Sequence, residues 1–436
     1  MPPKEGIKDL RQWFNMAVAI YLTIPVVLLI IGYPVGVYAV RHWLSIPVER
    51  IDACIWVLRI TVVTSIIGMF SVPYSAMMGA YQLITEVVVF NLIKVIIMFV
   101  GAWCLLRVPG DRLIWYAVLM LVATLVMDGG IILRAKRRFQ ACKIVVSELI
   151  DKNRLKDFFA YTGFKFLGGL GWTFRAQGSA ILINIAFGPR INSSFAVANQ
   201  LSAQAASFSA SLNNAISPAV TTHEGAGNRE QMRKLALRSC KFGGLLVALF
   251  AIPLCVEIDF VLRLWLVNPP PYASMLCVCM LIVFLLEHIT MGHLVAISAQ
   301  PNIGRWQVWD AIAMLMALPI GIVCVVLGMG VFSVGFAYIG ATILQMIGKV
   351  YFARCLVGMG VREWLRSVFI PLFVLVSLVL TIALSTGFFI TSSVIRFCID
   401  IPLCVFLMLI GGFLMLFDNQ ERQYIMGKVR LLKQMG

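Results

Sequence analysis

Charge is scarce in this chain: only 13% of its 436 residues are Asp, Glu, Lys or Arg, about half the ~25% of an ordinary soluble protein. Acid is scarcer than base, with 20 Asp and Glu against 36 Lys and Arg. Histidine is limited to His42, His223, His288 and His293, and the eleven cysteines are scattered through apolar runs with no CxxC pair. That spacing excludes the usual zinc frameworks and reads as small core residues. No constellation of loop residues looks catalytic, and no Gly-rich phosphate loop follows a strand. No connecting segment is long enough to house an ATPase or catalytic domain. These absences exclude a soluble enzyme and predict neither metal nor cofactor.

Apolar residues are abundant: 61% of the chain is hydrophobic and the mean hydropathy is +0.92. At about 20 residues per crossing, the sequence predicts twelve transmembrane helices, near 12–40, 54–79, 86–106, 113–133, 163–187, 191–218, 236–262, 273–298, 306–328, 332–353, 366–388 and 394–417. The first of these is no signal peptide, because Glu5 and Asp9 precede it and its apolar run is too long. Lys and Arg concentrate in alternate loops, above all in Arg134 to Lys156. By the positive-inside rule both termini then face the cytoplasm, and the formal charge of +16 needs no nucleic acid to explain it. The basic segment reads as a linker between lobes that anchors at anionic headgroups.

An internal repeat organises the chain. The pattern R-x-W-L-x-x-P occurs at Arg41, Trp43, Leu44, Pro47 and again, 222 residues on, at Arg263, Trp265, Leu266, Pro269. The same shift lays the first four spans onto spans seven to ten, as expected of a duplicated unit. Spans five and six then have counterparts that fall before Met1, so either the opening helix pair of the first lobe has been lost or, the favoured expectation, the true start lies upstream and a complete chain has fourteen spans. The fold class is therefore an all-α polytopic membrane protein of two pseudo-repeated lobes around a central cavity. Its expected parts are an N-terminal lobe (1–134, four helices), a basic linker (135–160), a C-terminal lobe (161–356, six helices), and a terminal helix pair with a basic tail (357–436).

Ionisable side chains inside a span cost about 2.5–3.5 kcal/mol on insertion scales and mark candidate sites. Arg175 and Glu287 are the most central, and read either as a helix-locking ion pair or as substrate or coupling groups. Lys94, Arg59 and Lys165 lie closer to helix ends, where a long stem can snorkel. In span six, Gln200, Gln204, Ser207, Ser211 and Asn214 fall on one stripe of a 3.6-residue helix, a face that should meet water or a polar ligand. Gln177 and Asn184, with Thr173, give span five a narrower polar row. Two such helices facing each other predict a wet cavity.

In spans five and six the order Gln177, Gly178, Ile181, Leu182, Asn184, Phe187, Gly188, Pro189, Asn192, then Asn214, Ala215, Pro218, Gly225 and Gly227, resembles the polysaccharide-exporter branch of the multidrug/oligosaccharidyl-lipid/polysaccharide exporter superfamily. Ser71, Val72, Pro73 and Tyr74 extend the likeness into the first lobe. The resemblance implies an O-antigen-type flippase of the bacterial inner membrane. Its substrate would be a polyprenyl-diphosphate-linked oligosaccharide for surface polysaccharide or lipopolysaccharide, and its partners membrane lipids and polysaccharide assembly proteins. Arg175, with Lys94 and Lys165, would meet the diphosphate, and the amide face the sugar hydroxyls. Glu287 also suits a rival, a cation-coupled exporter of organic cations in the same superfamily. A membrane glycosyltransferase or polymerase is the more distant alternative, without a loop to hold its chemistry.

Overall fold

The computed structural model describes residues 4–81, 83–145, 152–300, 303–390, 392–419 and 421–423, with backbone alone at 4–7, 84, 152–154, 156–167, 206–215 and 388. Among these residues every regular element is a helix. The chain separates into two compact units, Met1–Gly163 and Phe164–Gly436.

The first unit holds α1 (Lys4–Val27), α2 (Tyr33–His42), α3 (Ile51–Ala80), α4 (Ile84–Cys104) and α5 (Arg112–Arg138). α1 and α2 form one span joined by a π-helical turn at Leu28–Gly32, a wide turn that interrupts the regular ladder. Asp111 starts α5 by accepting a hydrogen bond from the Leu113 amide at 2.9 Å, the ordinary role of an N-cap carboxylate. Phe14, Tyr74, Met78, Ile131 and Phe139 form the core. Apolar side chains on the other faces stay open, Phe99 by 77%, as expected where acyl chains rather than water are the surroundings. Polar locks therefore matter more than apolar area here: Ser71 donates to Asp128 at 2.6 Å inside the unit, and Glu86 pairs with Arg134 and Arg138.

The second unit contains α6 (Lys152–Phe187) from Phe164 onward, α7 (Pro189–Gly225), α8 (Arg229–Val256), α9 (Ile258–Leu266), α10 (Ala273–His288), α11 (Met291–Ser298), α12 (Gly304–Leu315), α13 (Ala317–Val326), α14 (Phe332–Val357), α15 (Val361–Trp364), α16 (Ile370–Phe389) and α17 (Ser393–Met415). Gly188 separates α6 from α7 at φ +83°, where a side chain would be strained, and Pro189 opens α7 at a position that needs no amide donor. α16 and α17 pack on α8 through Leu245, Ala248, Leu372, Leu375, Cys404 and Met408.

The helices fall on the twelve segments read from the sequence, with informative departures. Among the described residues nine helices are long and apolar enough to cross a membrane, or ten with the bent pair α10 and α11 taken as one span. α6 and α7 run 36 and 37 residues but are too polar to pass on hydropathy. The predicted span 236–262 is two helices, because the chain turns at Glu257, a buried carboxylate gripped by Arg396 at 2.6 and 3.3 Å. The predicted span 273–298 bends by 48° between its halves. There Gly292 passes so close to α8 that a Cβ would lie 1.8 Å from the Ala236 carbonyl oxygen.

Candidate functional site

Four helices of the second unit, α6, α7, α10 and α14, enclose a cavity of about 560 Å³. α7 turns one face toward it through Asn192, Ala196, Asn199, Gln200 and Ala203. These positions recur at i, i+4, i+7, i+8 and i+11, the stripe of a 3.6-residue period. Alternating amides with alanines gives that wall hydrogen-bonding groups and room beside them. Ser202 adds a buried hydroxyl oxygen that has no hydrogen-bond partner among the described residues. Aromatic surface comes from Trp172 of α6, Phe284 of α10 and Phe195 of α7 itself.

Arg175 is the fixed charge of this cavity. It is 7% exposed, with its guanidinium carbon 5.0 Å from the centroid of the Tyr338 ring, a stacking worth about 0.5–2 kcal/mol. The Tyr338 hydroxyl donates back to the Arg175 carbonyl oxygen at 3.1 Å, so α14 holds both the backbone and the head of this residue. Glu287 meets the guanidinium at 3.4 Å, longer than the 2.7–2.9 Å of a strong charge-assisted bond. Its side chain is 28% exposed. Of the five N–H donors that an arginine carries, one has an acceptor among the described residues. The guanidinium is therefore placed and charged, with donors to spare.

The structure brings Arg175, Gln177, Gln200 and Glu287 together on this cavity. Gln204 is exposed off its lining, because the wet face of α7 is turned about one residue from the stripe through Gln200 and Gln204 toward Asn199 and Ala203. Asn184 is buried farther along α6 and has partners of its own. Lys94 belongs to α4 of the first unit, half-buried, and does not line the cavity. The side chains of Lys165, Ser207, Ser211 and Asn214 lie outside the described residues. Asn192, Asn199, Trp172 and Tyr338 are lining groups beyond the expected set. The 192-to-199 spacing of two asparagines was a usable signal for the first pair. Nothing local in the sequence marks Tyr338, whose role depends on the packing of α14 against α6.

Among the described residues no cluster of His, Cys, Asp and Glu could hold a metal ion. The cavity offers one cation, one carboxylate, a row of amides and aromatic faces, a set suited to binding rather than bond breaking.

The fold is that of polytopic membrane transporters. It matches the lipid II flippase MurJ in an inward closed conformation, with a TM-score of 0.67 and 12% identity over 95% of this chain and 85% of that one. It also matches a MATE protein in complex with MaL6, at 0.58 and 15% identity over 81% of each chain. An outward-facing MATE family multidrug resistance transporter of the MOP superfamily is similar at 0.54 and 15% identity, over 80% of this chain and 78% of that one. No family model and no curated protein matches the sequence.

Proposed function

We propose that this chain is a flippase that carries a polyprenyl-diphosphate-linked oligosaccharide across the bacterial inner membrane by alternating access, for surface polysaccharide such as O-antigen. The observation that carries the reading is Arg175, a buried guanidinium with unused donors in a cavity walled by amides. A diphosphate leaving water needs a fixed cation, and a planar guanidinium matches phosphate oxygens two at a time. Asn192, Asn199, Gln177 and Gln200 are placed to exchange hydrogen bonds with sugar hydroxyls, while Trp172, Phe195 and Phe284 offer faces for pyranose rings. Lys94 and Lys165 belong to the proposal as helper cations along the route. So do Asn184, Gln204, Ser207, Ser211 and Asn214 as further polar groups of the two helices. The likeness to a lipid II flippase supports a lipid-linked substrate. Lipids, and assembly proteins of the polysaccharide, complete the proposed partners. The division of the chain into a four-helix lobe, a basic linker, a six-helix lobe and a terminal pair is the proposed working arrangement, with both termini cytoplasmic.

The test is flipping of a fluorescent lipid-linked sugar in proteoliposomes. Arg175→Ala should lower it at least tenfold, and Arg59→Ala, an exposed arginine stacked on Trp56 and bonded to Tyr33, far less at equal membrane abundance. Equal effects remove Arg175 from the site. A second reading, export of organic cations, is favoured by the partly exposed Glu287 among aromatic walls. Expulsion of cationic dyes by liposomes that leave the lipid-linked sugar unflipped would establish it instead.

A further inference from the structure

Where α8 ends and α17 begins, the second unit has another cavity, of about 490 Å³, lined by Asp259, Phe260, Arg263 and Leu264 of α9 and by Ser393 and Arg396 of α17. The α9 residues fall at i, i+1, i+4 and i+5, a single face of a helix. Arg396 is held in place, since its Nε and Nη2 donate to the two oxygens of Glu257 at 2.6 and 3.3 Å, and Glu257 is 1% exposed. Its Nη1 has no acceptor among the described residues. The rings of Phe260 and Phe397 meet at 4.9 Å between centroids and tie α9 to α17.

Asp259 and Arg263 are one helical turn apart, the spacing at which an acid and a base ordinarily pair on a helix surface. Among the described residues they form no ion pair with each other. Asp259 instead accepts a hydrogen bond on Oδ1 from Ser274 of α10, which holds the carboxylate and leaves Oδ2 for another donor. The cavity thus presents two guanidiniums, one of them anchored, and a carboxylate that neither has taken. Counted with Glu257 the group is neutral, two cations against two acids, so it is not a plain anion trap. Apolar side chains flank these charges: Leu264 of α9 and Val394 and Ile395 of α17 are exposed, as expected of groups that meet acyl chains. Trp265, also exposed, suits a membrane–water boundary. Ser392 supplies no side-chain cap to α17, so the first amides of that 23-residue helix add partial positive charge at this end.

The geometry points to a binding site for the zwitterionic headgroup of an ethanolamine phospholipid. The phosphate lies between Arg263 and the unused Nη1 of Arg396, the primary ammonium on Asp259 Oδ2, and the acyl chains along Leu264, Val394 and Ile395. Guanidiniums match phosphate oxygens, and a primary ammonium brings three N–H donors to the carboxylate, where a quaternary choline brings none. A purely anionic headgroup would meet the arginines but set its charge against Asp259. The first lobe carries a contrast: shifted by the 222-residue repeat, Arg263 corresponds to Arg41, but Asp259 corresponds to Val37. The arginine recurs there without the carboxylate. The inference does not depend on what the cavity around Arg175 carries. With both termini cytoplasmic, as proposed, the site meets the outer leaflet, and a lipid held there would splint the terminal helix pair to the α8–α9 turn.

Native mass spectrometry of the full chain tests it, with the protein released from detergent micelles that hold equal amounts of phosphatidylethanolamine, phosphatidylcholine and phosphatidylglycerol of the same acyl chains. The unaltered protein should retain one phosphatidylethanolamine about tenfold better than either competitor, the factor expected of one charge-assisted hydrogen bond. Asp259→Asn keeps an acceptor for Ser274 and should bring the ethanolamine and glycerol lipids to parity. Arg263→Gln should lower retention of both about tenfold, and Arg41→Gln should change neither. Parity of the three lipids on the unaltered protein, or a preference for phosphatidylglycerol, overturns the inference, and so does a selectivity that Asp259→Asn leaves intact. Glycerophosphoethanolamine, the same headgroup without acyl chains, should not displace the lipid at equal concentration; displacement would make the ligand a soluble phosphodiester and overturn the lipid site. Thermal midpoints check that each variant is folded, and Asp259→Ser replaces the Asn variant if that one is not.

Discussion

Arg175 and Glu287 meet at 3.4 Å, and that looseness is more informative than the pairing itself. A helix-locking pair in low dielectric would close to full hydrogen-bond length. Here the guanidinium is held instead by the Tyr338 ring and by the hydroxyl that anchors its backbone. Two outcomes follow. Arg175→Lys keeps the charge but loses the planar fork, and should reduce flipping about tenfold where affinity for a monovalent phosphate probe changes little; matched binding isotherms check the contrast. Tyr338→Phe keeps the stacked ring and removes the backbone anchor, at a cost of about 0.5–1.5 kcal/mol, readable as a lowered thermal midpoint with Arg175-dependent binding still present. The arginine was legible in the sequence because it lies about twelve residues into its expected span, too deep for easy snorkelling. Lys349 and Asp310 were not: each lies near the end of an expected span, where snorkelling is the ordinary outcome. The structure carries α14 on to Val357 and turns Lys349 inward.

At the scale of helices, small residues decide how closely the elements approach. Gly292→Ala sets a methyl group against the Ala236 carbonyl, a backbone atom that cannot rotate away. An overpacking cost of about 1–3 kcal/mol is expected, measurable by denaturant or thermal unfolding in detergent. Gly188→Ala should cost about 1–3 kcal/mol at its positive φ, a backbone region that only glycine adopts readily, with α6 and α7 still helical by circular dichroism. Cys142, in the turn after α5, is buried and its thiol is pushed up to about 11. Roughly one in a thousand or fewer would be thiolate at pH 7.5, so maleimide should not label it until the first unit unfolds. Helix existence was legible throughout from apolar runs of spanning length. The π-helical turns at Leu28–Gly32 and Leu365–Phe369 and the turn at Glu257 were not legible; the last of these answers to Arg396, a neighbour distant in sequence. The amide face of α7 was read nearly correctly, off by about one residue of helix rotation, since a 3.6-residue stripe leaves that choice to the partner helix.

For the molecule as a whole, composition settled the class and the repeat suggested the duplication, but the cavity's Arg175, Gln200, Glu287 and Tyr338 come from four separate helices. No local pattern announces such a set. Orientation rests on the loop cations alone, so a fluorescent protein fused after Gly436 should fold and fluoresce in a bacterial cytoplasm, and a periplasmic reporter fused there should stay inactive.

Lys241 of α8 is 1% exposed and is neutralised by Asp418 at 2.9 Å and Glu421 at 3.1 Å, acids that follow the last membrane helix. Arg238 shares Glu421 at 3.0 Å. The few residues after Met415 thus act as a clasp on a helix laid down nearly two hundred positions earlier. A ribosome that released the chain just short of them would leave an orphan ammonium in the core, a defect that quality-control proteases could sense in an otherwise finished protein.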